Sequence, residues 1–254
     1  MEKLIACQQK SPNALCRLIC FPWAGGGTSH LARWSSHFSN SVEVFCVRFP
    51  GRETRSKDPF AKDMTSMAKE IASVLLKELQ AKPFAFFGHS FGSYLSFAVA
   101  LHLKEKYGLE PFHLFLSAAH APTPEGLVNF RRRSVMDADD EEIIAYIQTL
   151  GGTPAELLCR EDLKKDVVRT VREDFRVLQT FSFEKAEINS PFSCDITCFN
   201  GSEDTLHHLQ AWQELTSGET SFYELPGGHF YLLEPSNEIF LIKHITRCIE
   251  NAGL

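Results

Sequence analysis

The sequence predicts a doubly wound α/β sheet, and three observations predict it. Short apolar runs recur at 17–21, 42–49, 84–88, 112–117, 194–199 and 221–225. Several carry apolar residues on both faces, as buried parallel strands should. Stretches with helical spacing of apolar residues lie between them, so strand and helix alternate along the chain.

Each element has its own justification. Leu18-Ile19-Cys20-Phe21 and Val44-Phe45-Cys46-Val47 form the cores of the first two strands. Residues 63–79 set Met64, Met67, Ile71, Val74, Leu75 and Leu79 at helical spacing. The run Pro83-Phe84-Ala85-Phe86-Phe87 reads as a strand, and 91–104 as the helix that follows it. After strand 112–117 the rhythm breaks, and residues 122–190 hold no convincing strand. They open with Pro122-Thr123-Pro124 and carry Arg131-Arg132-Arg133, then the charged stretch from Asp137 to Glu142. Helical patterns near 139–150 and 161–181 flank Gly151-Gly152-Thr153-Pro154. This block reads as a helical lid at the sheet end that carries the chemistry. Residues 1–121 and 191–254 are then the core, with two late helices at 207–216 and 237–250.

Bulk properties narrow the function classes. The 254 residues suit a single large α/β domain with a sizeable core. A net charge of −6 gives no basic face for nucleic acid. No apolar run is long enough for a membrane span, and the first ten residues have too short an apolar stretch for a secretory signal. The eight cysteines mostly sit inside strand-like runs as small hydrophobes and include no Cys-x-x-Cys pair. A reducing, cytosolic environment is expected, and nothing in the chain requires more than a monomer.

The chemistry is carried by Gly88-His89-Ser90-Phe91-Gly92, a Gly-x-Ser-x-Gly turn between strand and helix. That is the context of a nucleophile elbow, in which a strained turn exposes the serine hydroxyl above the sheet. A serine hydroxyl needs a base within hydrogen-bond reach and a group that orients the base. In this architecture the acid and then the histidine follow the serine along the chain. His229, in the loop Pro226-Gly227-Gly228-His229-Phe230 after the last strand, is the expected base, with His120 as its rival. Asp204, in Asn200-Gly201-Ser202-Glu203-Asp204 after the preceding strand, is the expected acid. Glu203, Asp174 and Asp195 are alternatives, and Asp204 could simply cap a helix near Thr205. Backbone donors for an oxyanion are expected at Phe91 and at Ala24, or else Trp23, in the glycine loop Phe21-Pro22-Trp23-Ala24-Gly25-Gly26-Gly27. That loop lacks the lysine and the spacing of a phosphate-binding loop.

Taken together, Phe21-Pro22-Trp23-Ala24-Gly25-Gly26-Gly27, Pro50-Gly51-Arg52-Glu53, Phe86-Phe87-Gly88-His89-Ser90-Phe91-Gly92, Gly151-Gly152-Thr153-Pro154, Gly201-Ser202-Glu203-Asp204 and Pro226-Gly227-Gly228-His229-Phe230 resemble the type II thioesterases. These are stand-alone enzymes of the α/β-hydrolase fold that serve fatty acid, polyketide and nonribosomal peptide synthases. Leu18-Ile19-Cys20-Phe21-Pro22-Trp23 and Lys82-Pro83-Phe84-Ala85-Phe86-Phe87-Gly88-His89-Ser90 look most like the animal branch, the medium-chain S-acyl fatty acid synthase thioesterases, or oleoyl-ACP hydrolases. The resemblance implies an acyl thioester on the phosphopantetheine arm of an acyl carrier protein domain, with fatty acid synthase as partner. It implies no cofactor of the protein's own and no metal. It supports Ser90, Asp204 and His229 as catalytic residues and Ala24 and Phe91 as oxyanion donors. Many bacterial members have histidine where this chain has Trp23. Trp23, Phe130, Ile144, Ile147, Phe175 and Leu178 are expected to line the acyl pocket. Arg131, Arg132, Arg133, Lys164 and Lys165 are candidates for meeting an acidic carrier protein.

Overall fold

In the computed structural model, residues 1–124, 126, 137–150, 158–184, 190–205 and 208–254 are described. Among the described residues, seven strands form one sheet: β1 (Ile5–Ala6), β2 (Cys16–Phe21), β3 (Val42–Val47), β4 (Phe84–His89), β5 (His113–Ser117), β6 (Asp195–Gly201) and β7 (Thr220–Leu225). Their order is β1-β3-β2-β4-β5-β6-β7. Every pairing is parallel except β1 with β3 at one edge. The six longer strands lie where the apolar runs predict them. The two-residue β1 is too short to show a pattern, and its pairing with β3 exists only in the folded chain.

The buried strands divide their side chains by alternation, with period two. Ile19, Phe21, Phe84 and Phe86 face the layer formed by α2 (Met64–Ala81) and α3 (Phe91–Tyr107). Leu18, Cys20, Ala85 and Phe87 face the opposite layer, where α1 (Ser29–Ala32) and α6 (Pro235–Asn251) pack. Helix α3 is therefore buried on most sides rather than amphipathic. It runs three residues past the expected end at 104 and stops where Gly108 turns left-handed (φ +64°). Asp63 caps α2 by accepting the Ser66 N–H at 2.7 Å. Pro235 opens α6, where its missing N–H costs nothing.

The segment expected as a helix at 207–216 is different. Residues Leu209–Leu215 form a 3₁₀ helix, and residue 207 lies outside the described residues. The large apolar residues here are Leu209, Trp212 and Leu215, spaced by three. A 3₁₀ helix eclipses that spacing on one side, whereas an α-helix would rotate it. Trp212 is fully buried and donates its Nε1–H to the Ala119 carbonyl at 3.1 Å.

Helices α4 (Asp140–Leu150) and α5 (Glu161–Gln179) lie between β5 and β6. Asp139 and Glu142 cap α4 reciprocally, each accepting the other's backbone N–H at 2.9 and 2.8 Å. Ile143, Ile144, Ile147, Val168 and Val171 form a small core between the two helices. Each such residue contributes about 1.5–3 kcal/mol when fully buried. Helix α5 is tied to the body of the molecule. Arg176 donates to the Lys62 carbonyl at 2.8 Å and to the Ala61 carbonyl, and Thr180 Oγ1 accepts the Met64 N–H at 2.8 Å. The fold is an α/β-hydrolase fold with helical insertions forming a lid. Among the described residues, no helix is long and apolar enough to cross a membrane.

Candidate active site

Parallel register brings the site together. Phe21 pairs with Gly88, His89 with Ser117, and Gly201 with Leu225, so β2, β4, β6 and β7 all end at one edge of the sheet. The glycine loop, the elbow, the acid loop and the histidine loop leave from those ends.

At the elbow Ser90 holds φ 55°, ψ −118°, a conformation that costs a non-glycine residue energy. Ser90 N–H donates to the Ser117 carbonyl at 2.8 Å, and Ser93 Oγ–H bonds back to the Gly88 carbonyl at 2.8 Å. The flanking glycines are required by space. A Cβ on Gly88 would collide with the Gly92 backbone, and one on Gly92 with the Phe21 and Pro22 carbonyls. The strained turn places Ser90 at the N-terminus of α3, with the Phe91 N–H next in line.

His229 stands over the serine. Ser90 Oγ–H donates to His229 Nε2 at 2.9 Å, and His229 Nδ1–H donates to Asp204 Oδ2 at 2.8 Å. The carboxylate can only accept, so it fixes the tautomer that leaves Nε2 facing the hydroxyl. Both side chains of the His–Asp pair are more than nine-tenths buried. The other oxygen, Asp204 Oδ1, accepts the Thr205 N–H at 2.7 Å, so Asp204 both orients the histidine and stiffens its own turn. His229 N–H reaches the Leu150 carbonyl at 3.2 Å, which joins the histidine loop to the end of α4.

The alternatives sit elsewhere. His120 is buried, and its Nδ1 accepts the His208 N–H at 3.4 Å. Asp195 begins β6, at the far end of that strand, and accepts the Glu219 N–H. The exposed Glu203 donates its N–H to the Gly227 carbonyl. Asp174 is buried against Arg52. His89 is fully buried under the site, its ring 5.2 Å from that of His229 and its Nδ1 2.8 Å from Ser117 Oγ. Ser117 in turn bonds Tyr231 Oη at 2.5 Å, and burial pushes the Tyr231 hydroxyl well up in pKa.

Ser90 and His229 open into a cavity of about 470 Å³. One part is lined by Ile147, Leu150, Val167, Val171 and Phe175 from the lid helices, and another by Trp23, Ala24 and His30. Of the pocket residues expected from sequence, Trp23, Ile147 and Phe175 line it. Ile144 turns into the core between α4 and α5, and Leu178 into the main core. Phe130 and Arg131 to Arg133 lie outside the described residues. Lys164 is engaged by Glu141 and Glu161 at 3.2 and 3.8 Å, whereas Lys165 is exposed.

Sequence reasoning gave no role to Arg52 and weighed Asp174 only as an alternative acid. Arg52 and Asp174 form a buried bidentate pair at 2.6 and 2.7 Å, and Asp174 Oδ2 also accepts the Gly25 N–H at 2.7 Å. Burial pushes the Asp174 carboxyl up in pKa, while Arg52 and the Gly25 N–H pull it back down. The available signal was a carboxylate on the apolar face of α5, in line with Val167, Val171 and Leu178.

A serine elbow, an orienting carboxylate and a histidine on an α/β-hydrolase sheet define a hydrolase of the serine type. Residues 16–249 match the thioesterase domain family. The chain is 51% identical to the medium-chain S-acyl fatty acid synthase thioesterase of Anas platyrhynchos, over all of both chains. It is 43% identical to the protein of the same name from Rattus norvegicus, over all of this chain and 95% of that one. The structure of the RedJ thioesterase from the prodiginine biosynthetic pathway of Streptomyces coelicolor superposes with a TM-score of 0.84 at 28% identity. That match covers 94% of this chain and 92% of RedJ. The chain belongs to the thioesterase family, within the type II superfamily.

Proposed function

We propose that this protein hydrolyses acyl groups held as thioesters on the phosphopantetheine arm of a carrier protein, with Ser90 as nucleophile. The observation that carries this reading is the Ser90–His229–Asp204 array opening into a largely apolar cavity. Ser90 Oγ bonds to the thioester carbon as its proton passes to His229 Nε2. The carbonyl oxygen, now an oxyanion, is held by the N–H groups of Phe91 and Ala24. Asp204 stabilises the imidazolium. The intermediate collapses, the C–S bond breaks and His229 returns the proton to the departing thiol. Water, deprotonated by His229, then releases the acyl group from Ser90 as a free acid. Trp23, Ile147 and Phe175 contact the acyl chain.

Two readings of the carrier have support. Type II service to a biosynthetic synthase in general is favoured by the likeness to RedJ, a thioesterase of a prodiginine pathway. Service to fatty acid synthase, with medium to long acyl chains and in the cytosol, is favoured by the names of the duck and rat relatives. Hydrolysis of decanoyl and shorter or longer acyl groups, presented on fatty acid synthase carrier protein and on coenzyme A, separates these readings. An oxygen ester of equal chain length tests the further alternative of a carboxylester hydrolase. Ser90→Ala should abolish thioester turnover. Undiminished turnover would refute the assignment of the nucleophile.

A further inference from the structure

The Ala24 N–H belongs to the peptide unit whose carbonyl is that of Trp23. In a planar trans peptide the N–H and the C=O point in opposite directions, so whatever fixes one aims the other. Gly26 N–H donates to the Trp23 carbonyl at 2.9 Å. The next peptide is held through its own N–H, which Gly25 gives to Asp174 Oδ2 at 2.7 Å. The Gly26 carbonyl accepts Arg52 Nη1 at 3.1 Å, and the same nitrogen meets Asp174 Oδ2 at 2.7 Å. Gly25 takes φ +74° to make this turn, and Val171 of α5 packs where its Cβ would be. Beyond the turn, Glu53, next to Arg52, accepts the Thr28 N–H at 2.8 Å.

The loop's hydrogen bonds thus use the N–H groups of Gly25 and Gly26 and the carbonyls of Trp23 and Gly26. The Ala24 N–H is outside that set, and Ala24 lines the cavity. The carboxylate comes from lid helix α5, which Arg176 and Thr180 anchor to the body of the molecule. A buried ion pair is a weak source of stability, because an apolar pair of similar volume often holds as well or better. An apolar pair could not accept one loop N–H and donate to one loop carbonyl, as this pair does.

We infer that Arg52 and Asp174 are positioning residues for the oxyanion hole, through which the lid helix α5 sets the direction of the Ala24 N–H. The inference rests on the assignment of Ser90 and Ala24 made above and is independent of which carrier is served. On this account the lid does more than wall the acyl pocket.

The test is the double substitution Arg52→Met/Asp174→Leu in the full chain, with Arg52→Lys beside it. Lysine keeps the charge and loses the planar fork. Four quantities are read: kcat and KM for decanoyl-CoA, affinity for decanoate, and affinity for a trifluoromethyl ketone analogue of the substrate. Ser90 adds to that ketone to give an oxyanion, so it reports the hole directly. The double variant should keep KM and decanoate affinity within about threefold while kcat and ketone affinity fall about 10²-fold, the scale of one lost donor. Arg52→Lys should fall between the double variant and the parent. A folded double variant whose kcat and ketone affinity stay within about threefold of the parent overturns the inference. If the double variant does not fold, Arg52→Lys decides by the same readouts, and an unchanged ketone affinity is fatal. Ser90→Ala keeps the two levels apart. Turnover surviving in Ser90→Ala refutes the site itself, whereas an inactive Ser90→Ala beside a fully active double variant refutes only the positioning role.

Discussion

Replacing Asp204 with asparagine should cost this enzyme its turnover without disturbing its shape, for a reason visible in the hydrogen bonds. Asp204 Oδ1 accepts the Thr205 N–H at 2.7 Å, and Oδ2 accepts His229 Nδ1–H at 2.8 Å. An asparagine must keep its one carbonyl oxygen toward the Thr205 N–H, because two donors cannot face each other there. Its amide nitrogen then faces His229 Nδ1 and donates to it. The imidazole is driven into the other tautomer, with Nε2–H pointing at Ser90 Oγ across the present 2.9 Å contact. The base is then unable to take the serine proton. The expected loss is about 10⁴-fold in kcat, or about 5 kcal/mol on the barrier. KM should barely move, because Asp204 does not line the cavity. The assay is release of free coenzyme A from decanoyl-CoA at saturating substrate, with thermal unfolding followed in parallel. An Asp204→Asn protein that unfolds like the parent and retains a tenth or more of its kcat, against the roughly 10⁴-fold loss expected, would refute the reasoning.

The lid-facing wall should set chain length. Phe175→Ala should move the preferred acyl group to longer chains and Ile147→Trp to shorter ones, by roughly 10–200-fold in kcat/KM per methylene gained or lost, read from rates across an acyl-CoA series. His113 gives a pH signature. It is buried, bonded through Nε2 to Thr197 Oγ1 at 2.8 Å, and burial pulls it from 6.5 down to about 4. Because the folded value is the lower one, the stability His113 supports is complete above pH 6.5. It is lost as pH falls from there to about 4, since only the unfolded chain takes up the proton. That shift corresponds to roughly 3 kcal/mol, and His113→Gln should flatten this part of the curve of unfolding free energy against pH. Gly92→Ala should abolish activity and lower the unfolding temperature, since its Cβ has no place between the Phe21 and Pro22 carbonyls. Thiol labelling of the native protein should reach exposed Cys159 first and leave Cys16, Cys20, Cys46, Cys194 and Cys198 protected by burial, as mass spectrometry would show.

The Gly-x-Ser-x-Gly turn, the apolar strands and the order of serine, acid and histidine are properties of the chain, because each depends on neighbours within a few residues. Glycines at 88 and 92 mark a tight turn in the sequence alone. The acid was narrowed but not settled by such reading: Asp174, Asp195, Glu203 and Asp204 are all carboxylates, and only three-dimensional placement separates them. The 3₁₀ segment at Leu209–Leu215 shows the same limit at small scale, since spacing by three is easily taken for helical spacing until the buried face is known. The pocket lining was legible only in part. Ile144 and Ile147 lie one turn apart on α4, yet Ile147 reaches the cavity and Ile144 joins the core behind it.

By itself, then, the sequence determined where the six longer strands form, where the nucleophile sits and which residue types could serve it, because backbone conformation and local patterning are short-range. Tertiary structure alone decided that Asp204 faces His229, that Asp174 faces Arg52 and that a lid helix reaches the glycine loop. These contacts join positions 25, 122 and 149 residues apart, and no local preference of the chain specifies them. They follow from the parallel register that gathers the strand ends, and from the packing that seats α5 against them.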